Sequence, residues 1–122
     1  MATLYANPGT AVALQTAQTG NADSTNIADR ATRREGGALV ITSAIGATPT
    51  VTVNIQGSVD GSAWFNVPYA LVATPRTFVL TALTITTAIT TTYLLQELIF
   101  WRYLKVVMSA NTNVTLTTTT YL

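Results

Sequence analysis

Residues 50–67 read TVTVNIQGSVDGSAWFNV, and this run constrains the fold more than any other. Val51, Val53, Ile55, Gly57 and Val59 occupy every second position, and Thr50, Thr52, Asn54, Gln56 and Ser58 fill the gaps. Successive side chains of a strand point to opposite faces, so the segment predicts one apolar face and one polar face. Asp60-Gly61 follows, a pair that tolerates the positive φ of a tight hairpin turn. Trp64 and Phe65 then fall on the return strand, with Trp64 expected as a core anchor. The run is a rigid antiparallel hairpin in which Asp60 serves the turn and nothing is reactive.

The same alternation recurs along the chain. Residues 11–17 (AVALQTA) predict a first strand with Val12 and Leu14 on one face, and residues 38–45 (ALVITSAI) a central, mostly apolar strand. Residues 46–49 are expected as a turn. Residues 76–83 and 84–93 read as two further strands. Residues 94–100 (LLQELIF) have a helical flavour, with strand or loop as alternatives. Residues 101–110 (WRYLKVVMSA) alternate with Leu104, Val106 and Met108 facing in. Asn111-Thr112-Asn113 is expected as a hairpin turn, and residues 114–122 close the chain with Val114 and Leu116 in and threonines out. Seven to eight short strands with frequent turns predict an all-β fold, an antiparallel β-sandwich or jelly roll.

Residues 19–37 (TGNADSTNIADRATRREGG) break this pattern. They are polar, hold most of the charges, and read as a long loop or arm with a short helical turn over residues 27–34. Long loops inside compact domains tend to carry function or interfaces. The organisation expected is one domain, with an N-terminal strand and extended arm over 1–37 and the β core over 38–122.

Composition narrows the function classes. The 122 residues suit one domain with one hydrophobic core, and 48% of them are apolar. Charged residues make up 9%, against about 25% in an average soluble chain. Threonine, roughly a fifth of the chain, covers the surface instead, and a β-branched polar residue suits an exposed strand face. Such a surface is a weak solubility device and fits a protein packed against neighbours. A net charge of +1 offers no basic stripe to displace counterions, so no nucleic-acid partner is expected. No apolar run is long enough to span a bilayer, so no membrane partner is expected. The first fifteen residues lack a basic n-region and an apolar h-region, so synthesis in a cytoplasm without export is expected.

The chain holds no histidine and no cysteine. That removes the commonest general base, the commonest zinc ligands and the usual catalytic triad. The single lysine, Lys105, lies mid-strand without a Ser-x-x-Lys spacing and is expected at the solvent or an interface. Of the five carboxylates, Asp60 is a turn residue, while Asp29 and Glu35 flank Arg30, Arg33 and Arg34. A loop with Asn21 and Asp23 lacks EF-hand spacing. No catalytic residue, metal or cofactor is expected. The RATRRE run with Asp29 is best read as a salt-bridged interface arm, because the arginine fork pairs with carboxylates and carbonyls across interfaces. Asp29, Arg30, Arg33, Arg34 and Glu35 are the candidate interface residues.

Two family resemblances meet at these segments. IQGSVDGSAWFNV (55–67), then RYLKVVMSA (102–110) and a final Thr/Val strand, resemble small β-sandwich virion proteins of tailed bacteriophages, among them head decoration or cement proteins. That resemblance spans residues 38–122. It implies a non-enzymatic structural protein located in the virion, with the major capsid protein as partner and self-association as a homotrimer. It also implies contacts through the arm, the N-terminal strand and exposed strand edges. The same hairpin and late strand are similar to discoidin-type, galactose-binding-like sandwiches, which implies carbohydrate binding through an exposed Trp64 or Tyr69. A tail or baseplate component is a variant of the phage reading.

Overall fold

The computed structural model describes residues 11–30, 37–96 and 101–121. Eight strands follow one another: β1 (Ala11–Gln18), β2 (Ala28–Asp29), β3 (Ala38–Ser58), β4 (Phe65–Asn66), β5 (Tyr69–Leu71), β6 (Leu83–Ile85), β7 (Thr90–Leu95) and β8 (Tyr103–Tyr121). All pairings are antiparallel and join the strands into one sheet. The all-β expectation holds, and among the described residues there is no helix.

Two long strands organise everything else. β3 and β8 pair along their whole length, from Ala38↔Tyr121 to Ser58↔Tyr103. The C-terminal half of β8 carries β1 on its other side, and the N-terminal half of β3 carries β7 and then β5. The opposite halves carry β2 on β8, and β4 and β6 on β3.

The two turns expected at 46–49 and 111–113 are not turns. β3 and β8 run straight through both places, and their register shifts between Ile45 and Thr50 and again between Thr50 and Thr52. Extra residues in one strand of a pair make a bulge, which bends the strand without ending the ladder. Thr48, Ala110 and Asn113 take positive φ here. Asn113 Nδ2 donates to the Ala47 carbonyl, while Asn111 Oδ1 accepts from Val114 N–H and its Nδ2 donates to the Thr19 and Val114 carbonyls. The asparagines are turn-formers by nature, and here they pin a bend shared by two neighbouring strands.

Inward parity is conserved across the bend. Leu39, Ile41, Val51, Val53 and Ile55 of β3 are buried, as are Leu104, Val106, Met108, Val114 and Leu116 of β8. Both halves of each strand therefore supply one core cluster, each such side chain contributing about 1.5–3 kcal/mol by leaving water. Thr118 and Thr120 continue this inward row, contrary to the expectation that the C-terminal threonines face out. Their hydroxyls are satisfied: Thr118 donates to Gln15 Oε1 at 2.7 Å and Thr120 to the Ala38 carbonyl at 3.0 Å.

Other expectations need correction. The strand expected over 76–83 does not form, and Val79 and Leu80 are exposed on a looped segment. Residues 84–93 split into the end of β6 and the start of β7. Ala28 and Asp29 pair as a strand with Leu104 and Tyr103, where a helical turn was expected. The core tryptophan is Trp101, 1% exposed, and not Trp64, which is half-buried. Val59 lies beyond the end of the inward row and is 66% exposed.

Candidate interaction surface

The candidate arm residues separate into two groups. Arg33, Arg34 and Glu35 lie outside the described residues. Asp29 and Arg30 belong to β2 and its end, and both tie that segment to the start of β8. The Asp29 carboxylate accepts from Arg102 Nε at 2.8 Å and from Arg102 Nη2 at 3.0 Å, a bidentate pair at the surface. The Arg30 N–H donates to the Arg102 carbonyl at 2.7 Å. The Arg30 guanidinium lies 3.6 Å from the centroid of the Trp101 ring, and the residue is only 3% exposed. Charged residues are rarely buried so deeply, and a desolvated cation on an aromatic face is one arrangement that permits it.

A second cation is also internal. Lys105, expected at the solvent or an interface, is instead 8% exposed and engaged within the chain. Its Nζ donates to Asp23 Oδ2 at 2.8 Å and lies 4.2 Å from the centroid of the Trp64 ring. The segment holding Asp23 is itself stitched to β8: Ser24 N–H donates to the Val106 carbonyl, and Met108 N–H to the Ala22 carbonyl. Asn21, the other residue of the candidate cation loop, accepts from Asn111 N–H. Among the described residues no three His, Cys, Asp or Glu side chains come together to hold a metal.

The hairpin turn after β3 is fixed by its own side chains. Ser58 Oγ accepts from Asp60 N–H and Gly61 N–H and donates to Asp60 Oδ1. Asp60 Oδ1 accepts from Ser62 N–H and Ala63 N–H at 2.8 and 2.9 Å. These backbone donors hold the Asp60 carboxyl below its ordinary pKa. Gly61 sits at φ 80°, a region costly for any residue with a Cβ. The Asp-Gly reading of this turn holds, although its return strand β4 is only two residues long.

Part of the accessible surface is apolar. Leu71, Val72, Val79 and Leu80 are exposed around the loop between β5 and β6. Beside them is a groove of about 300 Å3, lined by Tyr69, Leu71, Thr74, Thr77, Leu83 and Tyr93 among others. Tyr69 and Tyr93 meet edge to face at 5.5 Å. Tyr69 is buried, and one face of the half-buried Trp64 is taken by Lys105. No signal in the sequence marked this groove, because it gathers residues from three separate segments.

No protein-family model matches the sequence, and no curated protein matches it. Among solved structures, the crystal structure of SPBc2 prophage-derived protein YomS is similar, with a TM-score of 0.61 over 100% of both chains at 10% identity. The two share a fold. The likeness runs from end to end of both chains.

Proposed function

We propose that this chain is a non-enzymatic structural protein of a bacteriophage particle, and within the particle a decoration protein that binds the lattice of the major capsid protein and stiffens the shell. The observation that carries the reading is the end-to-end fold likeness to a prophage-derived protein. The resemblance of 55–67 and 102–110 to phage virion proteins supports it from the sequence.

The surface fits such a role. Asp29 and Lys105 are paired within the chain, and exposed threonine and aliphatic side chains make up much of the surface a partner would meet. Affinity for a lattice would come from buried area at each contact, multiplied by symmetry. Self-association as a trimer would match threefold positions of a shell.

Co-sedimentation tests this reading. The purified chain is mixed with assembled shells of the capsid protein from the same phage and spun through a density gradient. The expected result is saturable binding at a fixed ratio to the capsid subunit and a raised temperature of shell disruption. A chain that stays at the top of the gradient at every concentration would reject the capsid role.

A further inference from the structure

Two opposite charges stand outside the internal pairing. Among the described residues Asp23 is bonded to Lys105 and Asp29 to Arg102, while Arg30 is buried on Trp101. Among the described residues Asp60 and Arg76 enter no ion pair. Each sits on a turn held by hydrogen bonds, and each has exposed aliphatic neighbours.

On the Arg76 side, Thr74 N–H donates to the Leu71 carbonyl and Thr77 N–H to the Thr74 carbonyl, both at 3.0 Å. Pro75 supplies the fixed φ of the second turn and places Arg76 at its tip. Reciprocal bonds between Tyr69 and Val79, at 3.0 and 2.8 Å, clamp the base of the excursion. Val72 and Leu80, chain neighbours of the groove residues Leu71 and Val79, are 56% and 57% exposed. A cluster of exposed aliphatic side chains rimmed by polar residues marks an interaction site. On the Asp60 side, Oδ1 is committed to the turn, whereas Oδ2 accepts no hydrogen bond among the described residues. Val59 projects next to it.

We propose that the Val59–Asp60 turn of one copy seats in the Arg76-flanked groove of the next copy. Val59 enters the apolar groove and Asp60 Oδ2 meets the Arg76 guanidinium. The two patches differ, so the contact is head-to-tail and generates a ring where the rotation closes. Both turns are ordered before they meet, which lowers the entropic cost of association. The opposite charges select partner and register. The contact deepens the self-association within the proposed function and rests on that part of it alone.

The test is sedimentation equilibrium of the full chain over a wide concentration range, for wild type, Arg76→Glu, Asp60→Asn, the double variant and Leu80→Asp. Wild type is expected to form a concentration-dependent oligomer. Arg76→Glu replaces attraction by repulsion and weakens association roughly tenfold or more. Asp60→Asn keeps the turn acceptor, and added to Arg76→Glu it restores part of the loss. Leu80→Asp gives monomer. These side chains are exposed, and far-ultraviolet circular dichroism checks that each variant is folded. A wild type that stays monomeric at the highest attainable concentration overturns the contact. So does an oligomer indifferent to both Arg76→Glu and Leu80→Asp. Capsid binding is scored separately: a chain that forms this ring yet ignores capsids contradicts the decoration role and leaves the contact standing.

Discussion

The Arg30 guanidinium lies over the face of Trp101, 3.6 Å from its centroid, with both residues almost wholly buried. This contact locks β2 onto the beginning of β8 and closes one flank of the core. Trp101→Ala is expected to cost about 3–5 kcal/mol by loss of a buried aromatic. Arg30→Ala is expected to cost about 2 kcal/mol or more, through lost cation–π attraction and lost packing of its stem. Urea denaturation of the two variants, read by circular dichroism, checks both.

The two tryptophans should separate by fluorescence. In Trp64→Phe the remaining emission comes from buried Trp101, and it should be blue-shifted and resistant to acrylamide. In Trp101→Phe the remaining emission comes from half-buried Trp64 and should be quenched readily. A double-mutant cycle between Lys105→Met and Trp64→Leu, which removes the aromatic face, should return a coupling of about 0.5–2 kcal/mol. A coupling of zero would mean that the 4.2 Å approach carries no energy.

Gly57 is required by its neighbours. A Cβ added there would lie 2.9 Å from Val67 Cγ2 and 3.2 Å from Trp101 Cδ2. Gly57→Ala is therefore expected to destabilise by about 1–3 kcal/mol through overpacking. Adding Val67→Ala should make room and recover part of that loss, so the pair should be non-additive in thermal or urea unfolding.

Asp60 gives the chain an acid-sensitive turn. Its folded pKa is depressed below the ordinary 3.8, chiefly by the Ala63 and Ser62 N–H donors. The unfolded chain therefore takes up the proton first as pH falls. The contribution is fully present above pH 3.8 and is lost as pH drops through the lower folded value. Asp60→Asn should lack this component, so its stability should fall less steeply than wild type below pH 4. NMR titration of the Asp60 carboxyl should show the depressed midpoint directly.

What the sequence revealed follows from which forces are local. Alternation at 51–55, 104–108 and 114–116 is a local signal, and these residues are the core. Asp-Gly at 60–61 is likewise local and makes its turn. The Gly46–Pro49 and Asn111–Asn113 signals were real, but two adjacent strands used them to bend together, and a single strand read alone cannot show that. Trp64 and Trp101 are chemically the same, so only packing decides which one the core takes. The charges of Asp29, Arg30 and Lys105 suggested a surface, whereas their partners Arg102, Trp101 and Asp23 lie about 70–80 residues away along the chain. The groove beside Arg76 depends on Tyr69, Leu83 and Tyr93 coming together, and no motif encodes that.

The proposed role makes this fold a packing unit on a phage capsid. A cryo-electron microscopy map of the intact particle tests it most directly. The expected result is density for an eight-stranded unit, with the bent β3–β8 pair recognisable, repeated on the outer face of the shell at symmetry-related sites. A shell whose outer face is bare, with such density confined to the tail or absent from the particle, would contradict it.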